Sequence, residues 1–341
     1  LRILGIMNGM TGVSYHRIYA PLHDLMIRGF ADVDVWTPRD ENGQYRPLPD
    51  LSKYDLVIWN GTLAEPQDQI IRILNELNIP FIVDMDDHWR LNRYNPAYHE
   101  WEARQLSTKI QKAIFHADAV ICENHRLAKE ALKINRNTYV VPNALNLTDL
   151  QWNVGKKPSP TFRVGYIGSR SHRYDLMIVA QAVREFCEET GSEFHLCGYD
   201  PSDREWTAIG YELAPVGHPE WMKLKPGVHP SQYGIRYSEI DVALAPIISN
   251  GFNNCKSDLK VKEAGAYSIP VIASEFGPYK DHPSSGVYHA RTTREWKDQL
   301  YRAMEGILDG RPNAEYLQEN GDLHRVNLDR VEIFSEVLIT R

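Results

Sequence analysis

Cysteine is scarce in this chain, with four in 341 residues. Cys122, Cys187, Cys197 and Cys255 are scattered without a CxxC pair, which excludes a disulfide-stapled scaffold and a zinc ribbon. The pattern reads as reduced, packed thiols of a cytoplasmic protein, in which the sequons at Asn60 and Asn146 carry no glycan. No apolar run approaches the ~20 residues of a membrane-spanning helix. No signal-peptide pattern opens the sequence, and Leu1 stands directly before the first expected strand, so no targeting segment is expected. The dinucleotide fingerprint GxGxxG is missing, which speaks against NAD. Basic residues are not in excess: 38 Lys and Arg face 45 Asp and Glu, for a net charge of −7. That balance disfavours broad nucleic-acid binding and leaves room only for a local basic cleft. Solenoid-period repeats and low-complexity segments are lacking too.

What is present is ordinary for a globular α/β chain, with 43% hydrophobic and 24% charged residues. The length exceeds one typical core, so two domains are expected. In the first half, β-rich apolar runs lie at Arg2–Met7, Asp32–Trp36, Asp55–Trp59, Pro80–Val83, Ala119–Cys122 and Thr138–Val141. Helical spacing occurs between them, at Gln67–Leu77 and Glu100–His116. The polar, Gly- and Pro-containing stretch Asn153–Pro160 reads as a linker. The pattern then restarts with strands at Phe162–Ile167, Glu193–Cys197, Asp241–Ala245, Pro270–Ala273 and Gly286–His289, and a helix at Asp175–Glu189. The fold class is therefore α/β, with two Rossmann-like doubly wound domains facing a cleft. The expected domains are 1–153 and 161–325. Residues 326–341 hold a helical segment, Val326–Leu338, expected to pack back on the first domain. Ligands in such sheets sit beyond the carboxyl ends of the strands.

Four strand ends carry suggestive chemistry. After the first strand, Gly9 and Gly12 permit a tight turn, and His16 sits where a helix starts, as a polar contact or as a surface histidine. After the fourth come Asp84, Asp86, Asp87 and His88. Three carboxylates so close together repel one another. They suit a divalent metal, an aspartyl-nucleophile phosphatase or the hydroxyls of a polar substrate. The phosphatase pattern wants Thr or Val where His88 stands, and hydroxyl contact is the favoured reading, with some of the Asp residues capping the next segment. After the first strand of the second half, Gly168 and Ser169 lead into Arg170, His172 and Arg173. Further on, Lys256, Ser257 and Lys260 precede Glu263. Cations at helix starts oppose the helix dipole and repel one another, a cost that a bound anion offsets. The bland alternative is that they point into water. Two such clusters on one sheet suit a diphosphate, and Glu263 suits a pair of ribose hydroxyls.

Val164-Gly-Tyr-Ile-Gly-Ser169, Val141-Pro-Asn143, Ile240–Pro246 and Glu263-Ala-Gly-Ala-Tyr-Ser-Ile-Pro-Val271 together resemble the nucleotide-sugar glycosyltransferases of the GT-B fold. The likeness is greatest to the large retaining family with a Glu-x7-Glu motif. The resemblance covers most of the chain, and its most specific part is the last segment. It implies that Glu263 binds the donor ribose and that Lys260 or Lys256, with Arg170, holds the diphosphate. Gly12 and His16 would lie near the transferred sugar. The first glutamate of the motif is replaced by Cys255, so Asn253 and Asn254 become candidate sugar contacts. The implied activity is that of a hexosyl- or pentosyltransferase. It would move a sugar from a UDP- or GDP-type donor to an acceptor hydroxyl with retention, without metal or further cofactor.

A carbohydrate or glycolipid acceptor is expected beside Asp84–His88. Modified DNA is the alternative, since some phage enzymes of this fold glycosylate hydroxymethylated bases. Arg90, Arg93, Tyr94 and Arg104 supply basic and aromatic groups for that case. A rival of another class is a non-catalytic two-lobed protein that binds a sugar or nucleotide.

Overall fold

The computed structural model describes residues 1–40, 42–63, 66–215 and 217–340; Arg341, at the end of the expected last segment, lies outside them. In the first half, β1 (Arg2–Ile6), β2 (Asp32–Trp36), β3 (Leu56–Asn60), β4 (Phe81–Met85), β5 (Ala119–Cys122) and β6 (Thr138–Val140) form one sheet. Its order is β2-β1-β3-β4-β5-β6, and every pairing is parallel. The second half contributes β7 (Arg163–Ile167), β8 (Glu193–Tyr199), β9 (Met222–Pro226), β10 (Val242–Ala245), β11 (Val271–Ser274) and β12 (Val287–Ala290). They form a second parallel sheet in the order β12-β11-β10-β7-β8-β9. Strand order reverses beside β1 in the first sheet and between β7 and β10 in the second. These are the switch points where crevices open.

Side chains alternate between the faces of each sheet, so each half has two cores. In β4, Phe81 and Val83 join Trp59, Ile70 and Ile114 on one face. Ile82 joins Ile18, Leu22 and Phe334 on the other. That parity sends Asp84 to the Ile82 face, beneath the first helical segment. The C-terminal helix Leu323–Thr340 begins earlier than its sequence spacing suggests. It packs on the first half, where Asn327 Nδ2 donates to Pro21 O at 2.9 Å and to Asp24 at 2.7 Å.

Several elements differ from expectation. The helix read over Glu100–His116 is two, Tyr98–Ala103 and Leu106–His116. They are broken at Gln105, which adopts φ +52°. Asp175–Glu189 likewise divides into Arg173–Met177 and Ala180–Thr190. Strand β9, with sequence Met-Lys-Leu-Lys-Pro, escapes a search for apolar runs because it is an edge strand carrying lysines. The helices Arg204–Leu213, Thr293–Met304 and Arg311–Asn320 complete the layers of the second half. The stretch 153–160 is exposed throughout. No helix among the described residues is long and apolar enough to cross a membrane.

Phe334 is 2% exposed in the core it shares with the first sheet. Phe334→Ala is expected to cost about 3–5 kcal/mol of stability, measured as a lower urea midpoint for the first half.

Candidate active site

The carboxyl ends of the two sheets face one another across a cleft of about 480 Å³. From the first half it is lined by Thr11, Gly12 and His16 after β1 and by Asp86 and Asp87 after β4. From the second come Gly168, Ser169 and His172 after β7, and Lys256, Ser257, Lys260 and Glu263 after β10. A second compartment of about 620 Å³ continues from it past Gly168, Ser169, Val228 and Tyr233. Its walls include Arg170, Tyr199, Asp200, Trp206 and Arg236.

Local backbone builds the first wall. Thr11 Oγ1 accepts from Ser14 N at 3.1 Å and starts a short helix. The chain then widens into a π-type turn over Tyr15–Tyr19, whose first four residues are all buried. A regular α-helix would not turn four successive residues inward, and wide turns of this kind concentrate at functional sites. His16 and Arg17 thereby both face the interior. His16 lies with Nε2 3.8 Å from Glu263 Oε1, across the two halves. Burial lowers its pKa to about 4, outweighing a backbone hydrogen bond with Ala144, so it is neutral at physiological pH.

The opposite wall is the helix Leu259–Gly265 and the loop before it. Glu263 Oε2 accepts from Tyr237 Oη at 2.6 Å. Burial pushes Glu263 up to about 7 against the pull of Lys260 and the Tyr237 hydrogen bond. Lys260 lies over the Tyr166 ring at 4.9 Å and donates to Ile167 O. It has no ion-pair partner among the described residues, and burial lowers its pKa despite the Glu263 charge. Lys256 is paired, its Nζ 3.0 and 3.1 Å from the two oxygens of Asp87. Of the two lysines at the helix start, then, one is neutralised across the cleft. The other is a desolvated cation without a counter-ion. Gly168 is required beside them, because a Cβ there would come 2.6 Å from Tyr166 Oη.

Not all expected residues converge. Asp84 is wholly buried and bound to Arg17, with Nε–Oδ1 2.5 Å and Nη2–Oδ2 3.1 Å, so it cannot meet an acceptor. Strand parity sends it away from the cleft, a signal already present in the alternation around it. His88 lies outside the cleft, stacked on Trp89, with Nδ1 accepting from Arg90 N at 2.9 Å. Asn254 is exposed outside the cleft. Asn253 is internal, donating to Asp175 and Ile248 O. Cys255 is 4% exposed within the first half's core, so the position of the motif's first glutamate is turned away from the cleft. Arg170 pairs with Asp203 at 2.8 Å on the wall of the adjoining compartment. His172 lines the cleft, its Nδ1 2.7 Å from Asp175 Oδ2. Arg173 is held by Glu205 and Glu212. Of the expected DNA-facing groups, Arg104 pairs with Glu100, while Arg93 donates to Tyr94 Oη at 3.0 Å. The sequence reading missed Thr11, Asn143, Tyr166, Tyr233 and Tyr237. Asn143 and Tyr166 stand in segments singled out for the resemblance, but nothing local marks them as site residues; Thr11, Tyr233 and Tyr237 stand in none of those segments.

No family model matches the sequence, and no curated protein matches it. Solved structures do match in fold. Sucrose-phosphate synthase from Thermosynechococcus elongatus aligns over 100% of both chains, with TM-score 0.71 and 14% identity. Anabaena HepE, solved in complex with UDP-glucose, aligns over 98% of this chain and 99% of its own, with TM-score 0.69 and 15% identity. A glycosyltransferase from Rickettsia africae aligns over 99% and 98%, with TM-score 0.64 and 14% identity. At such identities the likeness shows the fold, which is the two-domain, Rossmann-like GT-B arrangement.

The cleft charges set a testable pH dependence. Because the folded pKa of Glu263 is raised above the model-peptide value of about 4.3, the folded state binds the extra proton between there and about 7. Its contribution to stability therefore falls as pH rises through that window. Glu263→Gln removes this loss. The melting temperature of the variant relative to the parent is expected to climb between about pH 4.5 and 7 and to level off above, as measured by melting temperatures across that range.

Proposed function

We propose that this chain is a glycosyltransferase that moves a sugar from a nucleoside-diphosphate donor to an acceptor hydroxyl. The observation that carries this is Lys260, a half-buried cation without an ion-pair partner among the described residues, at the β7/β10 switch point. A diphosphate there supplies the missing charge, and charge-assisted hydrogen bonds to phosphate are the strong kind. Glu263 stands one turn further along the same helix, where it can accept from ribose hydroxyls. The adjoining compartment, walled by Tyr199, Trp206 and Tyr233, suits a planar base. Compartments of this size together accommodate a nucleotide sugar. HepE, of the same fold, was solved with UDP-glucose, and a UDP-type donor is the first to test, with GDP beside it.

In the reaction the bond from the anomeric carbon to the phosphate oxygen breaks, and its electron pair stays on the diphosphate. The acceptor oxygen bonds to that carbon. In the retaining course that the resemblance of Glu263–Val271 suggests, its proton passes to the leaving phosphate oxygen. Lys260 stabilises the charge that develops on the leaving group, and in a dry cleft such fixed charges count for most. Neutral His16 offers a hydrogen bond to the sugar without adding a second cation. The acceptor is a carbohydrate or glycolipid hydroxyl on the Asp86–Asp87 side, since carboxylates there favour hydroxyl donors and repel phosphodiesters.

UDP or GDP is expected to raise the melting temperature. Lys260→Ala should weaken binding by about 1.5–3 kcal/mol, the worth of one charged hydrogen bond. Calorimetry showing unchanged nucleotide affinity in that variant would remove the donor site. Turnover is expected to survive a chelator, because Lys260 already supplies positive charge and Asp87 is neutralised by Lys256. Loss of turnover in chelator, restored by Mn²⁺ or Mg²⁺, would assign Asp86 and Asp87 to a metal instead.

A further inference from the structure

Of the polar residues at the exit of β4, three are committed elsewhere. Asp84 is bound to Arg17, both oxygens of Asp87 face Lys256 Nζ, and the His88 Nδ1 is taken by Arg90 N. Asp86 is different. It lines the cleft, its Oδ1 accepts from Asn143 Nδ2 at 2.9 Å, and its other oxygen has no hydrogen bond among the described residues.

What aims Asp86 is Asn143, which is 1% exposed. The Asn143 side-chain oxygen accepts from Arg17 Nη1 at 3.1 Å. A guanidinium can only donate, so the NH2 end of the amide is forced to face Asp86. Arg17 is itself fixed, by both oxygens of Asp84 and by Val141 O at 2.9 Å. The main-chain carbonyl of Asn143 accepts from Lys262 Nζ at 2.9 Å. Lys262 belongs to the helix that carries Lys260 and Glu263. One buried residue of the first half therefore touches the acceptor-side carboxylate with its side chain and the donor-side helix with its backbone.

We propose that Asn143 is a positioning residue: it holds the free oxygen of Asp86 toward the acceptor hydroxyl and registers that oxygen against the Lys260–Glu263 face across the cleft. This rests on the glycosyltransferase reading. The hydroxyl donates a hydrogen bond to ionised Asp86 as it is bound and hands that proton to the leaving phosphate oxygen as the new bond forms, so transfer fails as Asp86 takes up a proton. Burial and the charge of Asp87 beside it favour the protonated form of Asp86, whereas Arg17, the Asn143 hydrogen bond and Lys256 favour the ionised one. Glu123, at the end of β5, is held up to about 8 chiefly by burial and is neutral where Asp86 titrates. Removing Asn143 therefore shifts the protonation of Asp86 to higher pH.

The test uses water as the acceptor. UDP and GDP binding are measured by calorimetry, and hydrolysis of UDP-glucose or GDP-glucose, whichever the parent protein turns over, is followed against pH. Asn143→Ala is expected to keep nucleotide affinity within about threefold. It should lose roughly 10- to 100-fold in kcat with little change in KM, and its acid limb should move upward by about one pH unit. In Asp86→Asn, a cleft-facing change that leaves the core intact, the acid limb should vanish; this variant decides the matter if Asn143→Ala does not fold. An unmoved acid limb in both variants overturns the positioning role while leaving the donor site standing. Binding without hydrolysis in the parent overturns the role of Asp86. If neither nucleotide binds the parent protein, the glycosyltransferase reading falls and this proposal with it.

Discussion

The first half's wall of the cleft depends on one buried ion pair, Arg17 with Asp84, both side chains fully shielded from solvent. Two charges without water are costly, and the pair persists because its geometry is bidentate and its remaining donors are met. Breaking such a pair by removing one partner typically costs about 3–5 kcal/mol. From it follow the orientation of the Asn143 amide, the placement of Asp86 and the inward turn of the widened helix at Tyr15–Tyr19. Arg330, from the helix that returns to the first half, is buried nearby, with its pKa pushed down to about 9 by burial and by the charge of Arg17. The last helix thus feels the same charged centre from the opposite side.

Desolvation shapes the other wall. Glu263 is held up to about 7, and Lys260 is drawn below its usual range, both chiefly by burial. His16 is driven down to about 4 for the same reason. Such displacements concentrate at functional sites. They leave a cleft in which a lone cation, a neutral imidazole and a reluctant carboxylate face one another. Holding such groups away from water is costly. The seam itself is polar. Asn124 Nδ2 donates to Cys255 O at 3.0 Å and Lys256 O at 3.2 Å, and Lys256 reaches Asp87. Hydrogen bonds and an ion pair thus join the two halves at this seam.

Much of the fold was legible because buried parallel strands leave continuous apolar runs. The run at Ala119–Cys122 coincides with β5, whose residues are all buried. Edge strand β9 left no such run. The break at Gln105 has no signal either, since a left-handed residue there is held by its surroundings and not by glycine. At the site, Gly168, Lys260 and Glu263 were legible through local chemistry: cations at a helix start, glycine at a strand exit. Asp84 and His88 could not be told from Asp86 and Asp87 by residue type alone. Parity along β4 separates Asp84, and the path of the loop after it separates His88.

By itself the sequence determined the two α/β halves, the strand exits where chemistry gathers and the cations at the strand exits of the second half. These follow from side-chain period and from charge placed against a helix dipole, both local properties of the chain. Tertiary structure alone decided which charges are spent and which are free. Lys256 and Lys260 look equivalent in sequence, yet only the fold brings Asp87 to the first of them. Asn143 gains its contacts with Asp86 and Lys262 only because the chain leaving β6 passes between Asp86 and the helix bearing Lys262. Pairing energies depend on distance and burial, and neither is encoded at any single position of the chain.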